Sequence, residues 1–211
     1  MLMVLPRLRY EQEDNRPQPT KLWKKPAKAD LHKTAGSSAR RRSVVGGRRD
    51  AFGAPGYNVG VSFVIRDFKS ADFEGLWRID QECFPPGISY SHHELKLYIR
   101  HRGSITLVGT DAAGKIVGFI VAHGGPTGHV ITIDVMAAAR RAGLGSLLLT
   151  AAEERLRDAG SIAVSLEAAV DNAAALHFYK RHGYSVVRTW PRYYSNGVDA
   201  LVLEKSLKSG S

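Results

Sequence analysis

Alternation of hydrophobic and polar residues divides the chain after residue 60 into short strands and amphipathic helices. A period of two predicts seven strands, at residues 61–66, 104–110, 115–123, 129–135, 162–168, 184–190 and 198–205. A period near 3.6 predicts four helices, at residues 70–81, 92–100, 143–159 and 172–182. This order predicts an α/β domain, with a mixed central sheet of about seven strands and about four helices on both faces.

Polar residues and glycines mark where the predicted helices begin and end. Ser70 and Ser91 are expected to cap the first two helices, and Asn172 to open the last one. Gly160 follows the third helix and Gly183 follows the fourth, because glycine readily takes the backbone conformation that ends a helix.

Positive charge is concentrated in the first 60 residues. The chain of 211 residues has a net charge of +10. Residues 1–60 hold 13 Lys and Arg against 5 Asp and Glu, whereas residues 61–211 hold 17 against 15. The first segment also lacks sustained apolar periodicity. We therefore expect a disordered basic tail (1–60) before a folded domain (61–207).

Several interpretations of this tail stay open. One is a basic arm that contacts RNA or a ribosome through its charge. Others are a functionally idle tail, or an overextended gene model whose true start lies near Val59 or Val61. A transit peptide is disfavoured, because such peptides are poor in acids and residues 11, 13 and 14 are acidic.

Composition and cysteine content favour a globular protein without a membrane span, a disulfide or a metal site. The chain is 44% hydrophobic and 24% charged, which is typical of a globular protein. No apolar run approaches the roughly 18 residues that a membrane helix needs, so no membrane partner is expected. The only cysteine, Cys83, excludes an internal disulfide and suits the reducing cytoplasm. His92 and His93 have no further ligands beside them, so no metal is expected.

Two glycines stand where a buried strand gives way to a long helix. The strand HVITIDV is followed by MAAARRAGLG, and Gly143 and Gly145 leave no side chain between the backbone and an approaching ligand. The N–H groups of the first helical turn suit phosphate oxygens. Arg140 and Arg141 add positive charge beside them. A tight turn that uses glycine only for packing is the alternative.

Three blocks of the chain resemble the GNAT superfamily of N-acetyltransferases. Arg140-x-x-Gly143-x-Gly145 resembles its acetyl-CoA motif, Gln/Arg-x-x-Gly-x-Gly/Ala. SLEAAVDNAAALHFYKRHGY resembles a later block, Leu-Glu followed by Asn, Tyr and Gly-Phe/Tyr. RYYSNGVDALVLEK resembles the ending of protein N-terminal acetyltransferases. The resemblance covers residues 61–207 and is closest to the RimI-type enzymes, which modify the N-terminal alanine of a ribosomal protein.

The resemblance implies a GNAT fold that uses acetyl-CoA as co-substrate. The residues it implies for binding are Ile133, Asp134, Val135, Arg140, Arg141, Ala142, Gly143, Leu144, Gly145, Ser146, Asn172 and Tyr179. Ile133, Asp134 and Val135 would contribute backbone groups. Asp134 is unusual, because many relatives have a small or apolar residue there. A substrate contact and a charged strand edge are both open for its side chain.

The same resemblance implies a direct transfer of the acetyl group to a primary amine. Glu167 matches the RimI-type glutamate and is the candidate base, with a structural salt bridge as the alternative. Tyr179 is the candidate acid for the departing thiolate, with a core tyrosine as the alternative. His129 matches a histidine of archaeal relatives and is a second candidate base, unless it only satisfies the end of its strand.

Residues that bind the acceptor are expected on two loops. The first contains Phe84-Pro85-Pro86-Gly87, where RimI-type enzymes often have Phe-Pro-Trp-Ser, and Phe84 would line the groove. On the second loop, Tyr193 and Tyr194 would hydrogen-bond the first residues of a peptide, or would pack on the edge of the sheet.

Together these features predict an N-α-acetyltransferase that acts on a protein or peptide N-terminus, with a ribosomal protein as one candidate. Two alternatives remain. One is an enzyme of the same fold that acts on a small amine. The other is a non-catalytic module that binds acyl-CoA or a ribosome. The sequence leaves the oligomeric state open.

Overall fold

Seven strands pair into one sheet in the computed structural model, which describes residues 62–86, 88–194 and 196–208. The strands are β1 (Val64–Asp67), β2 (Ser104–Thr110), β3 (Ile116–His123), β4 (Thr127–Val135), β5 (Ala163–Ala169), β6 (Ser185–Trp190) and β7 (Ala200–Ser206). Their order across the sheet is β1-β2-β3-β4-β5-β7-β6. Among these strands, β4 and β5 run parallel and every other neighbouring pair is antiparallel.

Four helices cover the two faces of the sheet. They are α1 (Phe73–Cys83), α2 (His92–Arg100), α3 (Leu144–Asp158) and α4 (Ala173–Arg181). Helices α1 and α2 pack on one face through Leu76 and Leu95, and α3 and α4 pack on the other through Leu148 and Phe178. Burial of each such side chain contributes about 1.5–3 kcal/mol. The predicted α/β class, with a mixed seven-stranded sheet and four helices on both faces, is confirmed.

The predicted basic tail, residues 1–60, lies outside the described residues. Residue 61, where the first strand was predicted to start, lies outside them too, and β1 begins at Val64. Within the described ranges, no helix is both long enough and apolar enough to cross a membrane.

The first helix begins later than the sequence predicts. Ser70 opens a short 3-10 turn and the α-helix starts at Phe73, so the predicted cap at Ser70 is wrong. The Asp72 carboxylate accepts hydrogen bonds from the Lys69 N–H at 2.7 Å and from the Arg66 guanidinium at 2.7 and 2.9 Å. Because Arg66 belongs to β1, Asp72 ties the start of the helix to the sheet.

The predicted cap of α2 at Ser91 is confirmed. Ser91 Oγ accepts a hydrogen bond from the Glu94 N–H at 3.2 Å, and the Ser91 N–H donates to Glu94 Oε2 at 2.9 Å. This reciprocal capping box satisfies two backbone donors and stabilises the helix by about 1 kcal/mol. It also fixes the end of the loop that connects α1 to α2.

A β-bulge sets the direction of the side chains on β4. The register between β3 and β4 shifts after Val121, so that Ile131 has no partner of its own on β3. A bulge resets the alternation of side chains between the two faces. In a regular strand His129 and Asp134, five residues apart, would point to opposite faces. Here both point to the face that carries α1 and α2.

A substitution in β3 tests how closely this strand packs. A Cβ on Gly118 would lie 2.7 Å from the Asp134 carbonyl oxygen and 3.0 Å from Leu144 Cδ2. Because the carbonyl belongs to the neighbouring strand, it cannot move alone. We expect Gly118→Ala to lower the free energy of unfolding by about 2 kcal/mol, measured by urea denaturation.

Gly75→Ala, in α1, is the matched control. A Cβ at Gly75 would meet Ile116 Cδ1 at 3.8 Å, which is an ordinary contact. Since alanine favours a helix more than glycine does, this variant should gain about 0.5–1 kcal/mol. Equal effects of the two substitutions would contradict the close approach of β3 to β4.

Candidate active site

The sheet opens between β4 and β5. These parallel strands pair at three positions, the last of which joins His129 to Ser165. Beyond this point β4 stays paired with β3 as far as Val135, and β5 stays paired with β7 as far as Ala169. The edge of β4 after His129 therefore faces a gap, where its backbone polar groups need a ligand or water.

Ile133, Asp134 and Val135 form the last part of this open edge. Their side chains are buried, those of Ile133 and Val135 in the core beneath α3. They would therefore reach a molecule in the gap through backbone N–H and C=O groups, which is the contact that the sequence predicts for them.

His129 meets Glu167 where the gap begins. Glu167 Oε2 lies 3.1 Å from His129 Nε2, and Ser165 Oγ lies 3.1 Å from His129 Nδ1. The Ser165 hydroxyl is also able to donate to the Gly128 carbonyl at 3.4 Å. The contact between His129 and Glu167 is not aligned as a hydrogen bond, so Glu167 Oε2 has no hydrogen-bond partner in the described part of the chain.

The alternation of side chains along β5 puts Glu167 on the face opposite to α3 and α4. Val164 and Leu166 lie in the core beneath α3 and α4, so Ser165 and Glu167 point to the opposite face. Glu167 is 9% exposed, and a carboxylate this buried is costly without a partner. Its nearest basic group is the His129 imidazole, so the catalytic base and the structural salt bridge both stay open for Glu167.

Tyr179 reaches the same region from α4. Its side chain is fully buried, and its hydroxyl has no hydrogen-bond partner among the residues described. Burial first, then the charge of Asp134 and the neighbouring phenol of Tyr194, raise the pKa of Tyr179 well above its usual value. The hydroxyl therefore stays protonated at neutral pH. An unpartnered buried hydroxyl costs about 1–3 kcal/mol, and a bound acceptor would remove that cost.

Two tyrosines in the connection between β6 and β7 lie beside Glu167. The rings of Tyr193 and Tyr194 meet edge to face with centroids 5.2 Å apart. Burial and then the charge of Glu167 raise the pKa of both phenols. Tyr194 packs against the core beneath α1 and α2, and within the described ranges its hydroxyl has no hydrogen-bond partner. Both sequence interpretations therefore stay open for this pair.

Phe84 lies deeper than the predicted acceptor groove requires. It is 3% exposed and packs in the core with Tyr90, at the two ends of the loop between α1 and α2. Its N–H donates to the Asp80 carbonyl at 3.1 Å and so ends α1. Phe84 therefore holds the loop in place, and a direct contact with an acceptor stays a prediction.

The start of α3 has the backbone geometry of an anion site. Gly143 caps the helix with a left-handed φ of 93°, and apart from its chain neighbours no described residue has an atom within 4 Å of the position that a Cβ would take. The first helical hydrogen bond runs from the Leu147 N–H to the Gly143 carbonyl at 3.1 Å. The N–H groups of Leu144, Gly145 and Ser146 therefore have no partner within the helix.

The residues before this cap point in two directions, one towards the sheet and the others towards solvent. Arg140 turns towards the sheet, where its Nε donates to the Val135 carbonyl at 2.8 Å and its Nη2 lies 3.7 Å from Cys83 Sγ. Arg141 and Ala142 are exposed. The guanidinium of Arg140 is thus partly committed to the protein, while that of Arg141 faces solvent beside the start of α3.

Asn172 caps α4 with one end of its amide. Its Oδ1 accepts a hydrogen bond from the Ala175 N–H at 3.1 Å, as the predicted helix start requires. Its Nδ2 is buried, and no acceptor for it lies in the part of the chain that the structure describes. The cap therefore leaves two N–H donors for a bound molecule.

Comparison with known proteins identifies the family. A family model described as the Acetyltransferase (GNAT) family matches residues 73–184, more than half of the chain. The chain belongs to the GNAT family of acetyltransferases. The predicted GNAT fold and the predicted enzyme class, an N-acetyltransferase, are confirmed.

Individual relatives of this GNAT protein include protein N-terminal acetyltransferases. The ard1 catalytic subunit of the N-terminal acetyltransferase A complex from Schizosaccharomyces pombe is 27% identical over 157 residues, which cover 69% of this chain and 86% of the relative. The crystal structure of Ard1 from Thermoplasma volcanium is 30% identical, with a TM-score of 0.63 over 70% of this chain and 99% of that one.

A RimI-type structure also shares the fold. The ribosomal-protein-S18-alanine N-acetyltransferase from Escherichia coli is 21% identical, with a TM-score of 0.64 over 71% of this chain and 97% of that one. Ard1-type and RimI-type proteins thus both resemble the chain, and the comparisons do not single out the RimI type that the sequence suggested.

This GNAT enzyme holds a pair of buried carboxyl groups behind the gap. Asp134 on β4 and Asp80 on α1 are both fully buried. Thr132 Oγ1 donates to Asp134 Oδ1 at 2.5 Å, and the Tyr90 N–H and Gln81 Nε2 donate to Asp80 Oδ2 at 2.8 and 2.9 Å. The other oxygen of each carboxyl has no partner among the described residues. A charged strand edge at Asp134, one of the two sequence interpretations, is therefore wrong.

Burial keeps this pair from being fully charged. Burial raises the pKa of Asp80 to about 7. Burial and then the charge of Asp80 raise the pKa of Asp134 well above its usual value. Two adjacent carboxylates of this kind do not both ionise at neutral pH, so the pair retains at least one proton. Asp80 was not predicted from the sequence, although an aspartate on the apolar face of α1 was a signal.

Burial and the charge of the nearby Asp134 also raise the pKa of the single cysteine, Cys83, to about 11. The thiol donates to the Val135 carbonyl at 3.5 Å and is a poor nucleophile, because only a thiolate attacks readily. Among the described residues, no group of three or more His, Cys, Asp or Glu side chains is placed to hold a metal ion.

Replacing Asp80 with asparagine is expected to stabilise the enzyme above neutral pH. The pKa of Asp80 is about 7 in the folded protein, against an ordinary value near 4. Its contribution to stability is therefore complete below about pH 4 and is lost as the pH rises through about 7. Asparagine still accepts the Tyr90 hydrogen bond and has no charge. The free energy of unfolding of Asp80→Asn should exceed that of the wild type at pH 8, with a smaller difference or a reversal at pH 4.

Denaturation by urea between pH 4 and pH 9 measures this difference. Asp158→Asn, at the exposed end of α3, is the control and should follow the wild type at every pH. If Asp80→Asn and the wild type lose stability in parallel from pH 5 to pH 8, the raised pKa of Asp80 is refuted.

Proposed function

We propose that this enzyme transfers an acetyl group from acetyl-CoA to the N-terminal α-amine of a protein or peptide. The observation that carries the proposal is the meeting of Glu167 and His129 with the protonated, unpartnered phenol of Tyr179 around one gap. Tyr194 connects Glu167 with Tyr179. The charge of Glu167 raises the pKa of Tyr194, and Tyr194 in turn raises the pKa of Tyr179. Similarity to the ard1 subunit and to Thermoplasma Ard1 supports an α-amine as acceptor.

Acetyl-CoA fits the polar groups that the chain leaves open. The N–H groups of Leu144, Gly145 and Ser146 would hold its pyrophosphate, and the space beside Gly143 would admit it. The open edge of β4 and the Asn172 amide would hold the amides of its pantetheine arm. Once bound, it supplies an acetyl group activated as a thioester.

Glu167 is the proposed base. An α-ammonium group must lose a proton before it attacks, directly to a carboxylate or through one water. Glu167 Oε2 has lone pairs available for this proton, and His129, 3.1 Å away, is placed to share it. Ser165 can then accept from the charged imidazole and turn its own hydroxyl towards the Gly128 carbonyl.

Tyr179 is proposed to act on the departing sulfur. A thiol has a pKa near 8.5, whereas that of Tyr179 is raised well above 10, so complete transfer of the phenolic proton would be uphill. A hydrogen bond from the phenol to the sulfur is favourable instead, and it stabilises the negative charge as the carbon–sulfur bond breaks. Water then supplies the proton.

The acceptor chain is proposed to lie between the loop from Phe84 to Tyr90 and the turn that carries Tyr193 and Tyr194. The Tyr194 hydroxyl would donate to a peptide carbonyl. A ribosomal protein is one candidate acceptor, and residues 1–60 are one candidate contact with RNA or a ribosome. Both rest on the sequence alone, as does the cytoplasm as the proposed location.

Single substitutions test the chemical roles. We expect Glu167→Gln to lower kcat by about 10²-fold, because the amide cannot take the proton, with little change in the KM for acetyl-CoA. Tyr179→Phe should lower kcat by about 10²-fold through loss of the hydrogen bond to sulfur. Steady-state rates of thiol release measure both.

Matched substitutions outside the gap provide the controls. Glu154→Gln, on the exposed face of α3, removes a carboxylate and should leave kcat unchanged. Full kcat in Glu167→Gln, with loss in His129→Gln, would transfer the role of base to His129. Full kcat in Tyr179→Phe would remove its assignment.

A peptide panel tests the acceptor class. Peptides that differ in their first residue, each with one internal lysine, are incubated with enzyme and acetyl-CoA, and the products are located by mass spectrometry. We expect acetylation at the α-amine alone, because an α-amine is less basic than a lysine amine and gives up its proton to a carboxylate more readily. Copies with a blocked N-terminus should stay unmodified. Modification of lysine, or of spermidine in preference to every peptide, would contradict the proposal.

A further inference from the structure

A chain of hydrogen bonds joins the start of α3 to the end of α4. His182 Nδ1 lies 2.8 Å from the Phe178 carbonyl, and His182 Nε2 lies 3.0 Å from Ser146 Oγ. The rings of Phe178 and His182 pack with centroids 4.3 Å apart. The Phe178 ring also lies 3.6 Å from the position that a Cβ on Gly145 would take. The imidazole is therefore held between the two helices, with one nitrogen at the first turn of α3.

The bond to Phe178 determines which protons the imidazole carries. A carbonyl only accepts, so Nδ1 of His182 holds a proton in either charge state. In the neutral ring Nε2 carries a lone pair and no proton, so the Ser146 hydroxyl must donate the hydrogen bond to Nε2. In the charged ring Nε2–H donates to Ser146 Oγ, and the hydroxyl proton is released to point elsewhere. The charge of His182 thus decides whether Ser146 presents lone pairs or a proton to its surroundings.

Ser146 lies in the turn whose N–H groups would receive the phosphates of acetyl-CoA, so a role for its hydroxyl in binding them rests on the proposed function. A phosphate oxygen accepts hydrogen bonds from donors and is repelled by lone pairs. We propose that CoA binding is coupled to protonation of His182, which turns the Ser146 hydroxyl into a donor to phosphate. His182 is in this sense a positioning residue, because it acts through Ser146.

The charged residues at the start of α3 and the end of α4 are basic. Its two polar partners are neutral, and no ion pair joins it to a carboxylate among the described residues. The first turn of α3 has no acidic residue, whereas Lys180 and Arg181 lie in the last turn of α4 and Arg140 and Arg141 precede α3. The C-terminal end of α4 favours a cation, and a bound dianion at the start of α3 would favour one further.

Calorimetric titration of CoA into the full-length enzyme tests the coupling. At pH 7, in buffers of different ionisation enthalpy, the wild type should take up more protons than His182→Gln, by as much as one. Raising the pH from 6 to 8 should weaken CoA binding by the wild type about three- to tenfold more than by the variant, because a histidine loses its charge in this range. Ionisation of CoA's own phosphate contributes equally to the results with both proteins, so the difference between them reports His182.

Two further variants make the result specific. Ser146→Ala should behave as His182→Gln does, because the histidine then has no hydroxyl to turn. His177→Gln, on the exposed face of α4, is the matched control and should behave as the wild type. Circular dichroism confirms that each variant is folded.

The outcomes separate this inference from the proposed function. If the wild type binds CoA, and both His182→Gln and Ser146→Ala show its proton uptake and pH dependence, the coupling is overturned and the proposed acetyl-CoA site stands. If the wild type fails to bind CoA at millimolar concentration, the site itself is overturned, and the coupling with it.

Discussion

The candidate active site depends on one feature of the sheet, which is that β4 and β5 pair at three positions and then separate. Each strand keeps its other neighbour, β3 or β7, so neither loses its position when the pairing ends. Both walls of the gap are therefore held in the sheet by hydrogen bonds. Its edge offers backbone donors and acceptors from β4, and its start is marked by the contact of His129 with Glu167. The bulge at Ile131 resets the alternation of side chains along β4, so that Asp134 points to the same face as His129.

Buried polar atoms without partners collect around this gap. Folded proteins pair nearly all such atoms, because each unpaired one costs about 1–3 kcal/mol. Here Glu167 Oε2, Asn172 Nδ2 and the hydroxyls of Tyr179 and Tyr194 have no hydrogen-bond partner among the described residues. Asp80 and Asp134, behind the gap, each leave one oxygen unpaired as well, whereas both oxygens of Asp72 accept hydrogen bonds. The concentration of unpaired groups in one place is what a site for a polar ligand requires, and it is not what stability alone would produce.

Periodicity was enough to predict the seven strands and the four helices, because these depend on local geometry. The cap at Ser91 followed for the same reason. The candidate site depends also on contacts between residues that are far apart in the sequence, which periodicity does not predict. The helix start at Asp72 depends on Arg66 in another element, and the burial of Phe84 depends on how the loop folds over the sheet. Contacts such as Ser146 with His182 join residues 36 apart and have no signature in sequence spacing.

The pair Asp80 and Asp134 shows how the two halves of the site depend on each other. Asp80 holds the Tyr90 N–H at the end of the proposed acceptor loop, while Asp134 belongs to the strand that edges the gap. One retained proton lets these carboxyls stay together, and its loss would set two charges against each other between loop and strand. Asp134 also raises the pKa of Tyr179. A decline of activity at alkaline pH would therefore report this pair as well as the catalytic groups, and would not by itself identify Glu167 or His129 as the base.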